Sequence, residues 1–333
     1  MSSESRVVFV DLLRFAAAVQ MLQGHTIAAL LAPEHRHGAG FALWSAARGL
    51  TSVAFLFAAG LSFYLATERA RDPQAPRRRV RRALRLIALG YLLHLPVVAL
   101  VSDDPSLRLR ALHEFAAVDV LQCIGVCLLV LEALRPLARP VQLCAAVGGA
   151  CLVLAPLAAA LPVQGALRPL AAYLGPRGGS LFPLSPWAAH VFFGFACGYL
   201  VRAPLPGSVG VRLCAVGVAG LAIAVAASWL GAPGVIRDHL LRLSEVVLVS
   251  AGLAWLATHT GRPPRWLMDL ASNTLLLYVF HVLLVYGSGV GLGSWIGPTL
   301  GPVQAVLAAL AVIVLSCAVA LGYERLARAR GTG

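Results

Sequence analysis

The sequence predicts an all-α fold: a polytopic integral membrane helical bundle of about ten transmembrane helices, ten or eleven, with both termini cytoplasmic. Three observations predict it. Of the 333 residues, 59% are hydrophobic and 12% charged, and the mean hydropathy is +0.82, a balance far from that of a soluble globule. Apolar stretches of bilayer length recur along the chain, parted by short polar links. The arginines concentrate at the N-terminus, in alternate links and in the C-terminal tail, as the positive-inside rule requires of cytoplasmic segments.

The first span, Val7 to Leu31, carries Asp11, Arg14 and His25 inside its apolar run. Asp11 and Arg14 are i,i+3 neighbours, and His25 follows Arg14 at a spacing that nearly eclipses it on a helix, so the three share one stripe. About 16 Å of helical rise separates Arg14 from His25, which puts them at two depths. Ionisable groups in hydrocarbon are costly and mark function. The second span, Leu43 to Ala66, brings Arg48 to the outer side and contains FLFAAGLSF, whose Gly60 permits close helix approach.

The third span, Ala83 to Val101, is entered through PRRRVRRALRL. There Arg78, Arg81, Arg82 and Arg85 fall at i, i+3, i+4 and i+7, one basic face at the inner boundary that suits anionic lipid or a phosphate site. The fourth, Phe115 to Leu134, has His113, Glu114, Asp119 and Gln122 at its outer end, the last two on one helical face. The fifth is Val141 to Leu161, and the link from Pro162 to Pro186 leaves room for an eleventh. The sixth, Trp187 to Val201, opens on Trp187 and His190 at the outer side. Leu213 to Leu230 and Leu243 to Ala257 follow. The ninth, Leu270 to Val290, holds Asn273 near its start and His281 at mid-depth, and the tenth is Val303 to Gly322. The outer half of the membrane thereby gathers polar groups, while the inner face gathers arginines.

The net charge of +13 is explained by the loops rather than by a nucleic-acid partner, and all 27 basic residues are arginine. That bias, with abundant Ala, Leu, Val and Gly, is associated with GC-rich bacterial coding and places the chain in a bacterial inner membrane. The seven cysteines lie in apolar spans without CxxC spacing and read as small buried apolar residues, not a disulfide or zinc framework; no metal is expected. Neither a repeat nor a soluble domain is evident, so residues 1–333 read as one transmembrane domain.

Taken in order, FVDLLRFAAAVQMLQGH (residues 9–25), FLFAAGLSF (55–63), the arginine-rich entry to the third span, DVLQCIGVCLLV (119–130), FPLSPW (182–187) and SNTLLLYVFHVLL (272–284) resemble the transmembrane acyltransferases related to heparan-α-glucosaminide N-acetyltransferase. More distantly they resemble the bacterial acyltransferase-three group. The resemblance implies transfer of an acyl group, usually acetyl, from cytoplasmic acyl-CoA to a sugar hydroxyl or amine across the membrane. It makes His25 the essential first-span histidine, with Arg14 its polar partner.

Acyl transfer from a thioester needs a base for the acceptor, charge stabilisation and docking for the donor. On that chemistry His25, Asp119 and Arg14 are the expected catalytic set, with His25 as general base. Arg14, Arg78, Arg81, Arg82 and Arg85 are expected to hold acetyl-CoA; Gln122, Trp187, His190, His281 and Arg48 the sugar or glycan; Asp11 and Asn273 support them. Competing structural readings are a buried ion pair for Asp11 and Arg14, helix–helix hydrogen bonds for Asp119 and Gln122, and an interfacial belt for Trp187. For the whole chain the alternative is a secondary transporter or flippase for a small polar or glycolipid substrate, whose marks, repeat symmetry and interrupted helices, are not evident in the sequence.

Overall fold

The computed structural model describes residues 7–69, 72–96, 103–161, 168–261, 263–287 and 290–331. In chain order the helices are α1 (Val8–Leu30), α2 (Gly38–Arg69), α3 (Ala75–Leu93), α4 (Pro105–Phe115), α5 (Val120–Leu134), α6 (Pro140–Val153), α7 (Ala155–Ala160), α8 (Arg168–Leu174), α9 (Leu184–Arg202), α10 (Val209–Trp229), α11 (Gly234–His259), α12 (Arg265–Ser272), α13 (Thr274–Val285), α14 (Leu292–Trp295) and α15 (Pro302–Ala329). An isolated bridge pairs Leu31 with Leu300.

The all-helical expectation holds among the described residues, but the spans are less uniform than the apolar runs suggest. Five helices (α2, α9, α10, α11 and α15) are long and apolar enough to cross a membrane, and α12 with α13 adds a sixth as a bent pair. The first helix, 23 residues, is about 35 Å long, yet with Asp11, Arg14 and His25 in it, it is not among these five. Helices α5 and α6 are shorter apolar pieces. The expected fifth span breaks at Leu154, ahead of Pro156, which opens α7 and lacks the N–H a continuing helix would use. The expected third span starts earlier, at Ala75, and ends at Leu93; residues 97–102 lie outside the described set. The ninth bends by 68° between Ser272 and Thr274. In the 162–186 link, α8 and a 3₁₀ turn at Pro176–Gly178 account for residues 168–178 and neither is of spanning length; residues 162–167 lie outside the described ones.

The described chain forms two compact units, residues 1–52 with 253–333, and residues 53–252. In the first, α1 packs on α12, α13 and α15. Arg14 meets Thr274 and His25 meets His281, so α1 and α13 run parallel. The last helix starts where α1 ends, with Ile27 and Leu31 packed on Ala305 and Ala309, and it finishes beside Asp269 and Asn273, so it is antiparallel to both. Arg36 closes the end of α1 by donating to the Leu31 and Ala28 carbonyls, two of the acceptors a helix terminus leaves open.

In the second unit α3 and α5 form an antiparallel pair, with Arg79 level with Glu132 and Gly90 level with Gln122. Helix α6 pairs with α9 in the same sense, Ser185 donating to the Cys151 carbonyl at 2.6 Å. The part of α2 beyond Ser52 lies parallel to α9 in backbone contact. A Cβ on Gly60 would overlap the Val191 carbonyl, and one on Gly194 would overlap the Phe57 carbonyl. Small residues on both sides are what let helices come this close, as the FLFAAGLSF segment suggests.

Helices α10 and α15 expose Val218, Ile223 and Val225, and Leu307, Leu310 and Val314. Cys214 is exposed on α10, against the expectation that all the cysteines are buried. Apolar faces of this extent are at home in hydrocarbon, where every helix also satisfies its own backbone. The chain is an integral membrane protein.

Candidate functional site

The expected site residues divide between the two units. In the first, Asp11 and Arg14 are an i,i+3 ion pair at 3.7 Å, and Arg14 Nη2 donates to Thr274 Oγ1 at 2.9 Å. About three turns further along α1, His25 Nδ1 lies 2.9 Å from His281 Nε2. His281 is completely buried, and its Nδ1 sits 2.9 Å from the carbonyl of Leu277, one turn earlier on α13. Both of its ring nitrogens therefore face protein partners, so neither is presented to a substrate. Tyr286 stands edge-on to His25 with 5.6 Å between ring centroids, and Tyr278 does the same to His281.

Arg48 reaches the turn of α1 that precedes His25: a Cβ on Gly24 would stand 3.1 Å from Arg48 Cγ, and the guanidinium carbon is 5.5 Å from the Trp44 ring centroid. Trp44 in turn donates to Gln23 at 2.8 Å. Asn273 donates to the Asp269 carbonyl at 2.9 Å and to Glu324 at 3.0 Å, at the bend where α12 gives way to α13. It ties the bend to α15.

In the second unit Asp119 is not on a helical face with Gln122. It is the N-cap of α5, with extended backbone angles, and its Oδ1 accepts from Val120 N at 2.7 Å. The i,i+3 argument fails because a capping residue has already left the helix. Its Oδ2 is 3.1 Å from His94 Nε2, while His94 Nδ1 is 2.9 Å from the Gly90 carbonyl. Two acceptors facing one ring is the pattern an imidazolium satisfies.

Gln122 is completely buried, and among the described residues neither its amide nitrogen nor its amide oxygen has a hydrogen-bond partner. A Cβ on Gly90 would overlap the Gln122 amide, so glycine there is what makes room for it. Leaving a buried amide unsatisfied costs about 1–3 kcal/mol, which a structural core residue has no reason to bear.

Trp187 and His190 form part of an aromatic group with Phe182 and His239. Trp187 is 4.7 Å from the Phe182 ring and 4.8 Å from the His239 ring, and His190 Nε2 is 2.9 Å from His239 Nδ1. His190 is completely buried, and its Nδ1 has no partner among the described residues.

On α3, Arg78, Arg81, Arg82 and Arg85 are all exposed, and Arg79 turns to the other side, where it meets Glu132 of α5 at 2.6 Å. Arg135 joins the same carboxylate at 3.1 Å. Arg78 also reaches Asp72 at 2.5 Å. The Gln74 backbone amide and then the Arg78 guanidinium hold the Asp72 carboxyl below the usual carboxylate range. An exposed row of guanidinium groups on one helical face can dock a phosphate-bearing donor.

The sequence gives no functional role to His239, Arg79, Glu132, His94 or Thr274. Arg79 had a signal, since it falls off the i, i+3, i+4, i+7 face of its own run. His239 lies ahead of the expected eighth span, whose helix begins at Gly234. The side chains of His113 and Glu114 lie outside the described residues. Among the described residues no three His, Cys, Asp or Glu side chains gather as a metal site would require.

No curated protein matches the chain. A family profile does: heparan-alpha-glucosaminide N-acetyltransferase, catalytic, over residues 6–229. That range takes in Arg14, His25, Arg48, the arginine run, Asp119, Gln122, Trp187 and His190, and stops short of His239 and His281. With two thirds of its length inside this match and its apolar helices built for a bilayer, the chain belongs to the heparan-alpha-glucosaminide N-acetyltransferase catalytic family of membrane acetyltransferases.

Proposed function

We propose that the protein moves an acyl group, acetyl in the first instance, from cytoplasmic acyl-CoA to an amine or hydroxyl of a sugar or glycan on the outer side of a bacterial inner membrane. The observation that carries this reading is the family match over residues 6–229. About ten crossings with both termini cytoplasmic is the topology proposed, and the parallel course of α1 and α13 together with the loop arginines supports it.

His25 takes the proton from the acceptor N–H or O–H as that atom attacks the thioester carbonyl. The new C–N or C–O bond forms, the C–S bond breaks, and the leaving thiolate recovers the proton from the imidazolium, so CoA departs as the thiol. Arg78, Arg81, Arg82 and Arg85 hold the donor phosphates, and Arg14, steadied by Asp11 and Thr274, meets the arm that passes it. Asp119 and Gln122 serve the acceptor's hydroxyls, Gln122 with an amide whose hydrogen bonds are otherwise unmet. Trp187 offers a ring face to the sugar, with Arg48 and His190 as polar contacts.

The test is reconstitution in sealed vesicles, with radiolabelled acetyl-CoA on one side and a glucosamine-terminated oligosaccharide on the other. Label should pass to the oligosaccharide, and His25→Ala should lower the rate by about 10²-fold or more. Full transfer by His25→Ala would end the general-base reading. One observation favours the transporter reading, the 68° bend in the ninth span. It expects flux of an unmodified solute that is indifferent to acetyl-CoA.

A further inference from the structure

The chemistry of a histidine base depends on which ring nitrogen holds the lone pair, and the bonds around His281 settle this for His25. The Leu277 carbonyl can only accept, so the His281 nitrogen 2.9 Å from it, Nδ1, carries the hydrogen. A neutral imidazole has one N–H, so His281 Nε2 bears a lone pair, and it points at His25 Nδ1 across 2.9 Å. For that contact to be a bond, His25 Nδ1 must be the donor. The basic lone pair of a neutral His25 is then on Nε2.

We propose that His281 is the positioning residue that fixes the tautomer of His25, so that Nε2 receives the acceptor's proton. This rests on the reading of His25 as the base. As Nε2 takes a proton, His25 becomes an imidazolium whose Nδ1–H still donates to His281, now as a charge-assisted bond that is stronger than the neutral one. A buried, neutral imidazole does here what a carboxylate does behind the histidine of a hydrolase triad, without bringing a second charge into the membrane. The relay is built on one turn of α13 and its contact with α1: Leu277 sets His281, and His281 sets His25.

His281 lies beyond the residues the family profile covers, and the sequence places it among the sugar contacts rather than behind the base. Its burial is complete and both its nitrogens are engaged, so it acts through His25 and not on substrate.

Two measurements test the assignment. In ¹⁵N-histidine NMR of the unsubstituted protein near neutral pH, His25 should show a protonated Nδ1 and an unprotonated Nε2; the opposite tautomer would overturn the proposal without any substitution. In the transfer assay His281→Phe, which offers no acceptor, should lower kcat by about 10²-fold or more with little change in the KM for acetyl-CoA. His281→Gln, whose Oε1 can reach the Nε2 position, should recover most of that loss. Wild-type kcat in His281→Phe, with CoA binding intact, would also overturn it. If His25→Ala keeps full activity the base reading itself has failed; if His25→Ala is inactive while His281→Phe is normal, this inference alone has failed.

Discussion

Arg79 and Glu132 face each other across the α3–α5 pair with two hydrogen bonds, Nε to Oε2 at 2.6 Å and Nη2 to Oε1 at 3.1 Å, and their side chains are 14% and 10% exposed. Such a pair gives little net stability over an apolar substitute, but removing Glu132 strands the Arg79 charge, whereas removing Arg79 leaves the carboxylate with Arg135. Glu132→Ala should destabilise the detergent-solubilised protein by about 3 kcal/mol or more, Arg79→Ala should cost less, and Arg79→Met with Glu132→Leu should recover most of the Glu132→Ala loss. Thermal unfolding of the three variants checks this.

Gly60 and Gly194 should tolerate nothing larger. Gly60→Leu is expected to cost about 3 kcal/mol or more, because the clash is with backbone and cannot be relieved by a rotamer change. Gly149, in α6, has open space where its Cβ would stand, and Gly149→Ala should stabilise by up to about 1 kcal/mol through helix propensity. Size-exclusion profiles and melting curves separate the two outcomes.

Gln122→Met keeps the volume and removes the unmet amide. The variant should be more stable by about 1 kcal/mol and should raise the KM for the glycan acceptor, a gain in folding set against a loss in function. Unchanged acceptor kinetics would return Gln122 to a structural role.

Replacing Arg81, Arg82 and Arg85 together with alanine should raise the KM for acetyl-CoA by about tenfold or more with kcat nearly unchanged, since the loss is of ground-state binding. The wild-type KM should itself rise with salt, as exposed guanidinium–phosphate contacts are screened. Steady-state kinetics at two ionic strengths reads both effects.

Asp72, ahead of the basic face, should hold its charge below the usual carboxylate value of 3.8. A depressed folded value means the contact with Arg78 is complete above the ordinary value and is lost only as pH falls through the lowered one. A carbon-13 titration of the Asp72 carboxyl, with Arg78→Ala moving its midpoint upward, checks the sign.

The all-helical class and the longer helices were legible from apolar runs, and Gly60 from its small neighbours, because close approach and burial are written locally. The ends of helices were less so. Asp119 sits where the fourth apolar run has already begun, and nothing in the run says that the helix waits until Val120. The expected fifth span runs straight through Pro156, which marks the break at Leu154, whereas the bend at Asn273 has no proline to mark it and is held by a bond to Glu324, far along the chain. Pairings are the hardest to read. His25 and His281 each stand out as polar residues in hydrocarbon, but their contact spans 256 positions of sequence, and His190 likewise finds His239 only in the fold.

Helices α1 and α13 are fastened at two heights, by Arg14 on Thr274 and by His25 on His281. Two such fastenings forbid one helix from sliding along the other. A slide by one helical turn, about 5.4 Å, would carry the two imidazoles out of hydrogen-bonding range and release His25 to either tautomer. On the proposed mechanism the register of these two helices is thus what sets the proton-accepting nitrogen of His25, and the pair has to move as one body for that setting to hold.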